Sequence, residues 1–84
     1  MNKKEKYINY IVADLVKNTE IDYDQEIIKY PYHLTFSPSY PLLHPYTYIL
    51  LSKYIKEIYG ARDEEIEIIW DQYKERIESL INNE

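Results

Sequence analysis

Apolar residues recur at the helical period in three stretches of this 84-residue chain. In residues 3–18 they come in adjacent pairs every four positions, beginning at Tyr7 and Ile8, and charged or amide residues fill most of the other positions. Residues 46–59 and 63–82 show the same period, with apolar residues three and four positions apart. This spacing places apolar side chains along one side of an α-helix. The pattern therefore predicts three helices that share a core.

The junction between the second and third predicted helices carries end signals. Gly60 is the only glycine of the chain, and it follows the second helix where a left-handed residue commonly ends one. Asp63 is the expected N-cap of the third helix, with Arg62 as the alternative. The short Tyr59–Arg62 connection then predicts a C-terminal αα-hairpin. Because the apolar arc of the second helix is broad, we expect that helix to be central and covered on more than one side.

The chain between the first two helices loses the helical period. Residues 30–48 contain all four prolines, and each proline fixes its own φ, lacks an N–H and favours extended backbone before it. Apolar and polar residues alternate over residues 30–36, which is the period of a strand. Ile27 and Ile28 are typical of a strand, but Asp24 could instead cap a short helical turn. We expect one short extended segment within residues 21–36, or a loose pairing of residues 27–30 with 32–36.

Together these elements predict a mostly α fold in a single small helical domain, residues 1–84. The extended Tyr/Pro-rich segment would cross the three helices, with at most one short strand pair. Hydrophobic residues make up 45% of the chain, which is enough for a small core. The chain has no cysteine for a disulfide, and it has no apolar run of the length of a membrane span or a signal peptide. We therefore expect a soluble, cytoplasmic protein.

Residue types that carry catalysis or bind cofactors are sparse and scattered. His33 and His44 lie eleven positions apart without a third ligand type close by, whereas a zinc site needs three or four converging groups. The alternating acids of residues 20–26 lack the central glycine and distal glutamate of a calcium loop. One glycine is too few for a phosphate-binding loop, and no nucleophile motif is present. We therefore predict no enzyme activity, no cofactor and no metal.

Tyrosine is unusually frequent, with eleven copies. Its ring is rigid and amphipathic, and it is enriched at protein interfaces. The tyrosines could cover a thin core, but several of them also cluster in the Tyr/Pro-rich segment. We therefore predict a non-enzymatic interaction module that binds a protein partner, or a second copy of itself. Its binding surface would combine the exposed side of the third helix with the tyrosines Tyr30, Tyr32, Tyr40, Tyr46 and Tyr48.

Charge is unevenly distributed along the chain, whose net charge is −5. Residues 63–84 carry eight acids against Lys74 and Arg76, which is a net charge of −6. The start of the third helix would repel DNA, so direct binding of nucleic acid is not expected. The alternative function is an acidic inhibitor that imitates nucleic acid and occupies the basic groove of a nucleic-acid-binding host protein. Its contacts would include Glu64, Glu67 and Asp71, which otherwise form the solvated side of an amphipathic helix.

The amino-acid composition also suggests the kind of genome that encodes the chain. Isoleucine, tyrosine, lysine, glutamate and asparagine are abundant, whereas alanine and glycine are rare. The abundant types are the amino acids of AT-rich codons. Short chains of this kind are common in phages and mobile elements of low-GC bacteria, so we expect the cytoplasm of a host cell as the place of action.

Overall fold

The computed structural model of the chain describes residues 2–33 and 45–82, with backbone alone at residues 33, 45 and 46. Three helices make up most of this part, and two short strands and a 3-10 turn follow the first of them. In chain order the elements are α1 (Lys3–Lys17), β1 (Glu20–Asp22), β2 (Ile27–Lys29), the 3-10 turn (Pro31–His33), α2 (Pro45–Tyr59) and α3 (Asp63–Asn82). The mostly α fold with three helices and one short strand pair is confirmed.

Side chains close to the starts of α1 and α3 accept hydrogen bonds from free backbone N–H groups. The Oδ1 atom of Asn2 accepts a hydrogen bond from the backbone N–H of Glu5 at 2.8 Å and so caps α1. At α3, the Glu65 carboxylate accepts from the N–H of Arg62 at 2.8 Å, and the Arg62 carbonyl accepts from the N–H of Ile66 at 2.9 Å. Arg62 is therefore the N-cap of α3, and Asp63 is its first helical residue. The Asp63 carboxylate instead forms an ion pair with Lys56 of α2.

The helix at the centre of the fold is α3, which packs mainly along α1. Ile8 in the first half of α1 and Ile68 of α3 line one surface groove, and Val16 near the end of α1 and Leu80 of α3 line another. Burying one Ile or Leu side chain stabilises the fold by about 1.5–3 kcal/mol. The buried side chains of these two helices are Ile8, Ile11, Val12 and Leu15 of α1, and Ile66, Ile69, Trp70, Tyr73 and Ile77 of α3.

The second helix is less covered than its broad apolar arc predicts. Leu51 and Ile55 are buried in the core, but Ile49 is 63% exposed and Ile58 is 54% exposed. Its link to α3 includes the Trp70 indole N–H, which donates to the Ser52 hydroxyl at 2.9 Å. The prediction that α2 is the central helix is therefore wrong, because the long stripe of α3 faces α1 and leaves part of α2 at the surface.

The two strands form an antiparallel pair that differs from the expected one. Ile21 lies opposite Ile28, and Glu20 lies opposite Lys29. Because side chains of directly opposed residues lie on the same side of a strand pair, both isoleucines face the core, where Ile28 is buried. Residues 23–26 form the connecting turn, in which the Asp22 carboxylate accepts from the N–H of Gln25 at 3.1 Å. Asp24 thus belongs to a strand connection and not to a helical turn.

The alternation predicts an extended chain over residues 30–36, but the chain turns at Pro31–His33, and residues 34–36 lie outside the described part. Tyr32 adopts φ 61° and ψ 28°, in the left-handed region. Strict alternation would place Tyr30 and Tyr32 on the same side of a strand. The turn instead buries Tyr30 in the core and lays the Tyr32 ring on that of Tyr54 in α2, with 4.9 Å between ring centroids. Packing of both rings therefore overrides the local preference for an extended chain.

None of the helices in the described part of the chain has both the length and the apolar character that a bilayer crossing requires.

Gly60 offers a direct test of the turn between α2 and α3. Its φ is +69°, its N–H donates to the Lys56 carbonyl at 3.0 Å, and no atom lies within 4 Å of the place that a Cβ would occupy. Gly60→Ala should therefore destabilise the fold by about 1 kcal/mol through backbone strain alone. Gly60→Asn should cost less than Gly60→Ala, since asparagine tolerates left-handed backbone. Urea denaturation measures both variants, and wild-type stability for Gly60→Ala would contradict the account.

Candidate functional site

An open cleft of about 630 Å³ lies where α1, the end of α2, the strand pair and the 3-10 turn meet. Its walls combine tyrosine rings with a few charged and amide groups. We call it the tyrosine cleft, and its lining residues are Asp14, Asn18, Glu20, Lys29, Tyr30, Pro31, Tyr32, Ile58 and Tyr59.

Tyr59, the last residue of α2, fastens that helix to α1. Its hydroxyl donates a hydrogen bond to the Asp14 carboxylate, and its backbone carbonyl accepts one from the hydroxyl of Tyr7. The ring of Tyr10 meets the Tyr59 ring edge-on, with centroids 6.4 Å apart and an interplanar angle of 80°. Edge-to-face contact is a favoured arrangement of aromatic rings. Three residues of α1 therefore hold one wall of the cleft in place.

The environment of Tyr59 keeps its phenol protonated. Burial raises the pKa of Tyr59 far above the ordinary value of 10.0, and its hydrogen bonds with Asp14 and Tyr32 raise the pKa further. A phenol with such a pKa remains a hydrogen-bond donor throughout the physiological pH range. Tyr59 therefore serves as a fixed donor to Asp14 and is unsuited to act as a base or nucleophile.

Tyr32 forms another wall of the cleft in an unfavourable backbone conformation. Positive φ is uncommon for a residue other than glycine and costs on the order of 1 kcal/mol or more. Stacking on Tyr54 and hydrogen bonding to Tyr59 hold the residue there. Strained residues of this kind are concentrated at binding and active sites. The strain at Tyr32 therefore adds to the case that this cleft is the functional site.

The cleft carries more negative than positive charge. Asp14 and Glu20 contribute carboxylates, and Lys29 contributes the one amine in the lining. The Lys29 amine lies 3.9 Å from the Glu20 carboxylate across the strand pair, and both side chains are largely exposed. Such exposed pairs are weak, on the order of 0–1 kcal/mol. Asp14 is half-buried and accepts from Tyr59, so its charge faces the cleft beside aromatic rings.

The structure brings together only part of the predicted tyrosine surface. Tyr30 is 8% exposed and lies under the cleft, and Tyr32 forms its wall. Tyr48 lies about three turns away along α2, where its ring stacks on Trp70 with 4.9 Å between centroids. Tyr40 lies outside the described residues, and only the backbone of Tyr46 is described.

The most exposed aromatic residue of the described chain was not among the predicted site residues. Tyr10 is 64% exposed and is not part of the cleft lining, but its ring contacts that of Tyr59, which is. A local signal for this side of α1 is present, since Tyr7, Tyr10 and Asp14 are spaced by three and four positions and therefore share one stripe. Their partner in α2 is far away in sequence, and no pattern along the chain indicates it.

The predicted acidic residues of α3 do form one continuous surface. Glu64, Glu67 and Asp71 are exposed, and exposed Glu75 and Glu78 extend the same line at spacings of three and four residues. We call these five residues the acidic stripe. At a rise of about 1.5 Å per residue the stripe spans roughly 21 Å. It lies on the side of α3 opposite the buried residues, so its carboxylates face solvent.

Metal-ligating residues do not converge anywhere in residues 2–33 and 45–82, because no group of three histidine, cysteine, aspartate or glutamate side chains there could hold an ion. His44 lies outside this part, and the side chain of His33 is not described. Comparison of the chain with protein-family models, curated proteins and solved structures finds no match.

The hydrogen bond between Tyr59 and Asp14 can be measured with a double-mutant cycle. Tyr59→Phe removes the hydroxyl and Asp14→Ala removes the carboxylate, and each single variant should lower the free energy of unfolding. Because a hydrogen bond to a charged group contributes about 1.5–3 kcal/mol, the coupling energy between the two positions should be about 1 kcal/mol or more. Urea unfolding of the four proteins gives this value. Additive effects would show that the two side chains do not interact.

Proposed function

We propose that this chain is a non-enzymatic interaction module that binds a protein partner through the tyrosine cleft and its rim, by which we mean the exposed side chains of Tyr10 and Ile58. The observation that carries the proposal is the exposure of two apolar side chains at Tyr59, which is itself fixed by hydrogen bonds to α1. Ile58 lines the cleft and is 54% exposed, and Tyr10 is 64% exposed with its ring against that of Tyr59. Exposed apolar side chains that lie together mark interaction surfaces more often than scattered ones do.

The rigidity of the tyrosine side chains at the rim favours binding. Tyrosine supplies a large contact area with few rotatable bonds, so little conformational entropy is lost when it is buried. The contacts of Tyr59 with Tyr7, Tyr10 and Asp14 further restrict the rings before any partner arrives. Such preorganisation raises affinity because fewer groups must be ordered on binding. A buried tyrosine in a fixed pocket is also a common hot spot of protein interfaces.

The chemistry of the cleft supports binding over catalysis. Its titratable groups are two carboxylates, one lysine and tyrosines, of which Tyr59 keeps its proton. Catalysis by an activated nucleophile needs a nucleophile within hydrogen-bond reach of a base. Among the described residues, the lining offers no serine, cysteine or histidine for such a pair.

Variants at the rim test this proposal. Tyr10→Ala and Ile58→Ser should each weaken the complex about tenfold or more, since interface hot spots contribute about 2 kcal/mol. The tagged chain is used to capture partners from a low-GC bacterial lysate, and sedimentation velocity of the purified chain measures self-association in parallel. Circular dichroism confirms that each variant keeps its helices.

Ile49→Ser is the matched control, because Ile49 is 63% exposed on the same helix but does not line the cleft. It should leave both capture and sedimentation unchanged. Binding at the cleft would be contradicted if Ile49→Ser weakened the complex as strongly as Ile58→Ser does. It would also be contradicted if neither Tyr10→Ala nor Ile58→Ser weakened the complex.

The acidic stripe favours a second candidate function, an acidic inhibitor that imitates nucleic acid. Its five carboxylates follow one another about every 5 Å, and a DNA strand carries one phosphate per roughly 3.4 Å of helix axis. A regular line of negative charge of this density could occupy the basic groove of a nucleic-acid-binding protein. Attraction of this kind is long-ranged and depends strongly on salt.

Neutralising the stripe separates the two functions. If the stripe is the binding surface, the combined variant Glu64→Gln, Glu67→Gln and Asp71→Asn should abolish capture, and added duplex DNA should release the captured protein. Glu57→Gln, an exposed acid of α2 outside the stripe, is the control and should have no effect. If capture persists in the triple variant and in the presence of DNA but is lost in Tyr10→Ala, the inhibitor function is excluded and binding at the tyrosine cleft is favoured.

A further inference from the structure

We propose that the tyrosine cleft holds an arginine side chain of the partner. This inference rests on the proposed function, since it names the group that the cleft would recognise. Three features of the lining point to it: an excess of negative charge, aromatic walls and an apolar edge.

The net negative charge of the lining favours a bound cation. Asp14 and Glu20 oppose Lys29 alone, and Lys29 already lies close to Glu20. Asp14 has no cationic partner among the described residues, and the group that holds its carboxylate is the neutral phenol of Tyr59. A half-buried carboxylate is stabilised by an opposite charge at short range much more than an exposed one is. A cation brought by a partner would supply that charge.

The aromatic walls favour a guanidinium group over an ammonium group. Tyr32 and Tyr59 present rings to the same cleft as Asp14. A guanidinium group is planar and weakly hydrated, so it stacks on aromatic faces and donates two parallel hydrogen bonds to a carboxylate. An ammonium group is compact and strongly hydrated, and it would gain less from these walls.

The edge of the cleft suits the rest of an arginine side chain. Ile58 lines the cleft and is largely exposed, so it offers an apolar surface to the three methylene groups of arginine. The volume of about 630 Å³ lies within the range of pockets that enclose small ligands, so one long side chain fits without rearrangement.

The test is a titration of the ¹⁵N-labelled chain with Nα-acetyl-arginine amide, followed by amide chemical shifts. The arginine probe should cause saturable shifts at Asn18, Tyr32 and neighbouring residues of the cleft. Nα-acetyl-citrulline amide has nearly the same shape without the charge, and it should bind at least tenfold more weakly. Nα-acetyl-lysine amide carries the charge without the planar group, and it should also bind more weakly.

Variants identify the carboxylate involved. Asp14→Asn should abolish the saturable shifts, whereas Asp71→Asn removes the same charge from the acidic stripe and should leave them intact. The amide spectrum of free Asp14→Asn should match that of the wild type outside the cleft, which excludes misfolding as the cause of lost binding. Absence of saturable shifts with the arginine probe, or equal shifts with citrulline, would overturn the inference.

The outcome is distinguishable from that of the proposed function. Suppose that capture of a partner requires Tyr10 and Ile58 but the cleft does not bind the arginine probe. That result would reject the arginine inference and would still support the interaction module. Specific arginine binding that requires Asp14 would support the inference by itself, and mutation of the matching arginine in a captured partner should then weaken the complex.

Discussion

The attachment of Tyr59 to α1 is the constraint on which the candidate site depends. Tyr59 is the last residue of α2, and Gly60 turns the chain immediately after it toward α3. Its hydroxyl and carbonyl both bond to α1, so the end of α2 cannot separate from α1 without losing two hydrogen bonds and a ring contact. Because half-buried polar groups that lose their partners are costly, this junction should be among the more rigid parts of the fold.

Apolar side chains are exposed to solvent around this rigid junction. The core lies mainly between α1 and α3, and α2 adds Leu51 and Ile55 to it while leaving Ile49 and Ile58 at the surface. A chain of 84 residues buries a limited share of its surface, so some apolar exposure is expected. What distinguishes Ile58 and Tyr10 from Ile49 is their position beside fixed aromatic rings and a half-buried carboxylate. That combination of apolar, aromatic and acidic groups is the reason for assigning binding to this end of the molecule.

The parts of the fold that depend on nearby residues could be predicted from the sequence. The bounds of the helices follow from apolar spacing, from Gly60 and from the acids that begin α3, and the acidic stripe follows from the same helix. The cleft could not be predicted, because Tyr7 and Tyr59 are 52 positions apart and Asp14 and Tyr59 are 45 positions apart. Contacts over such distances leave no periodic signal. The turn at Tyr32 was missed for a related reason, since packing on Tyr54 opposes the local preference of the backbone. Of the tyrosines predicted to bind, Tyr32 reaches the cleft wall and Tyr30 lies buried beneath it.

The central claim is that the tyrosines around Tyr59 form a fixed surface before any partner binds. The most direct measurement is a set of nuclear Overhauser contacts between tyrosine rings in the free, isotopically labelled chain. Strong contacts are expected between the rings of Tyr59 and Tyr10 and between those of Tyr32 and Tyr54, together with a slowly exchanging hydroxyl proton on Tyr59. Averaged ring signals without contacts between α1 and α2, and rapid exchange of that hydroxyl proton, would contradict the claim.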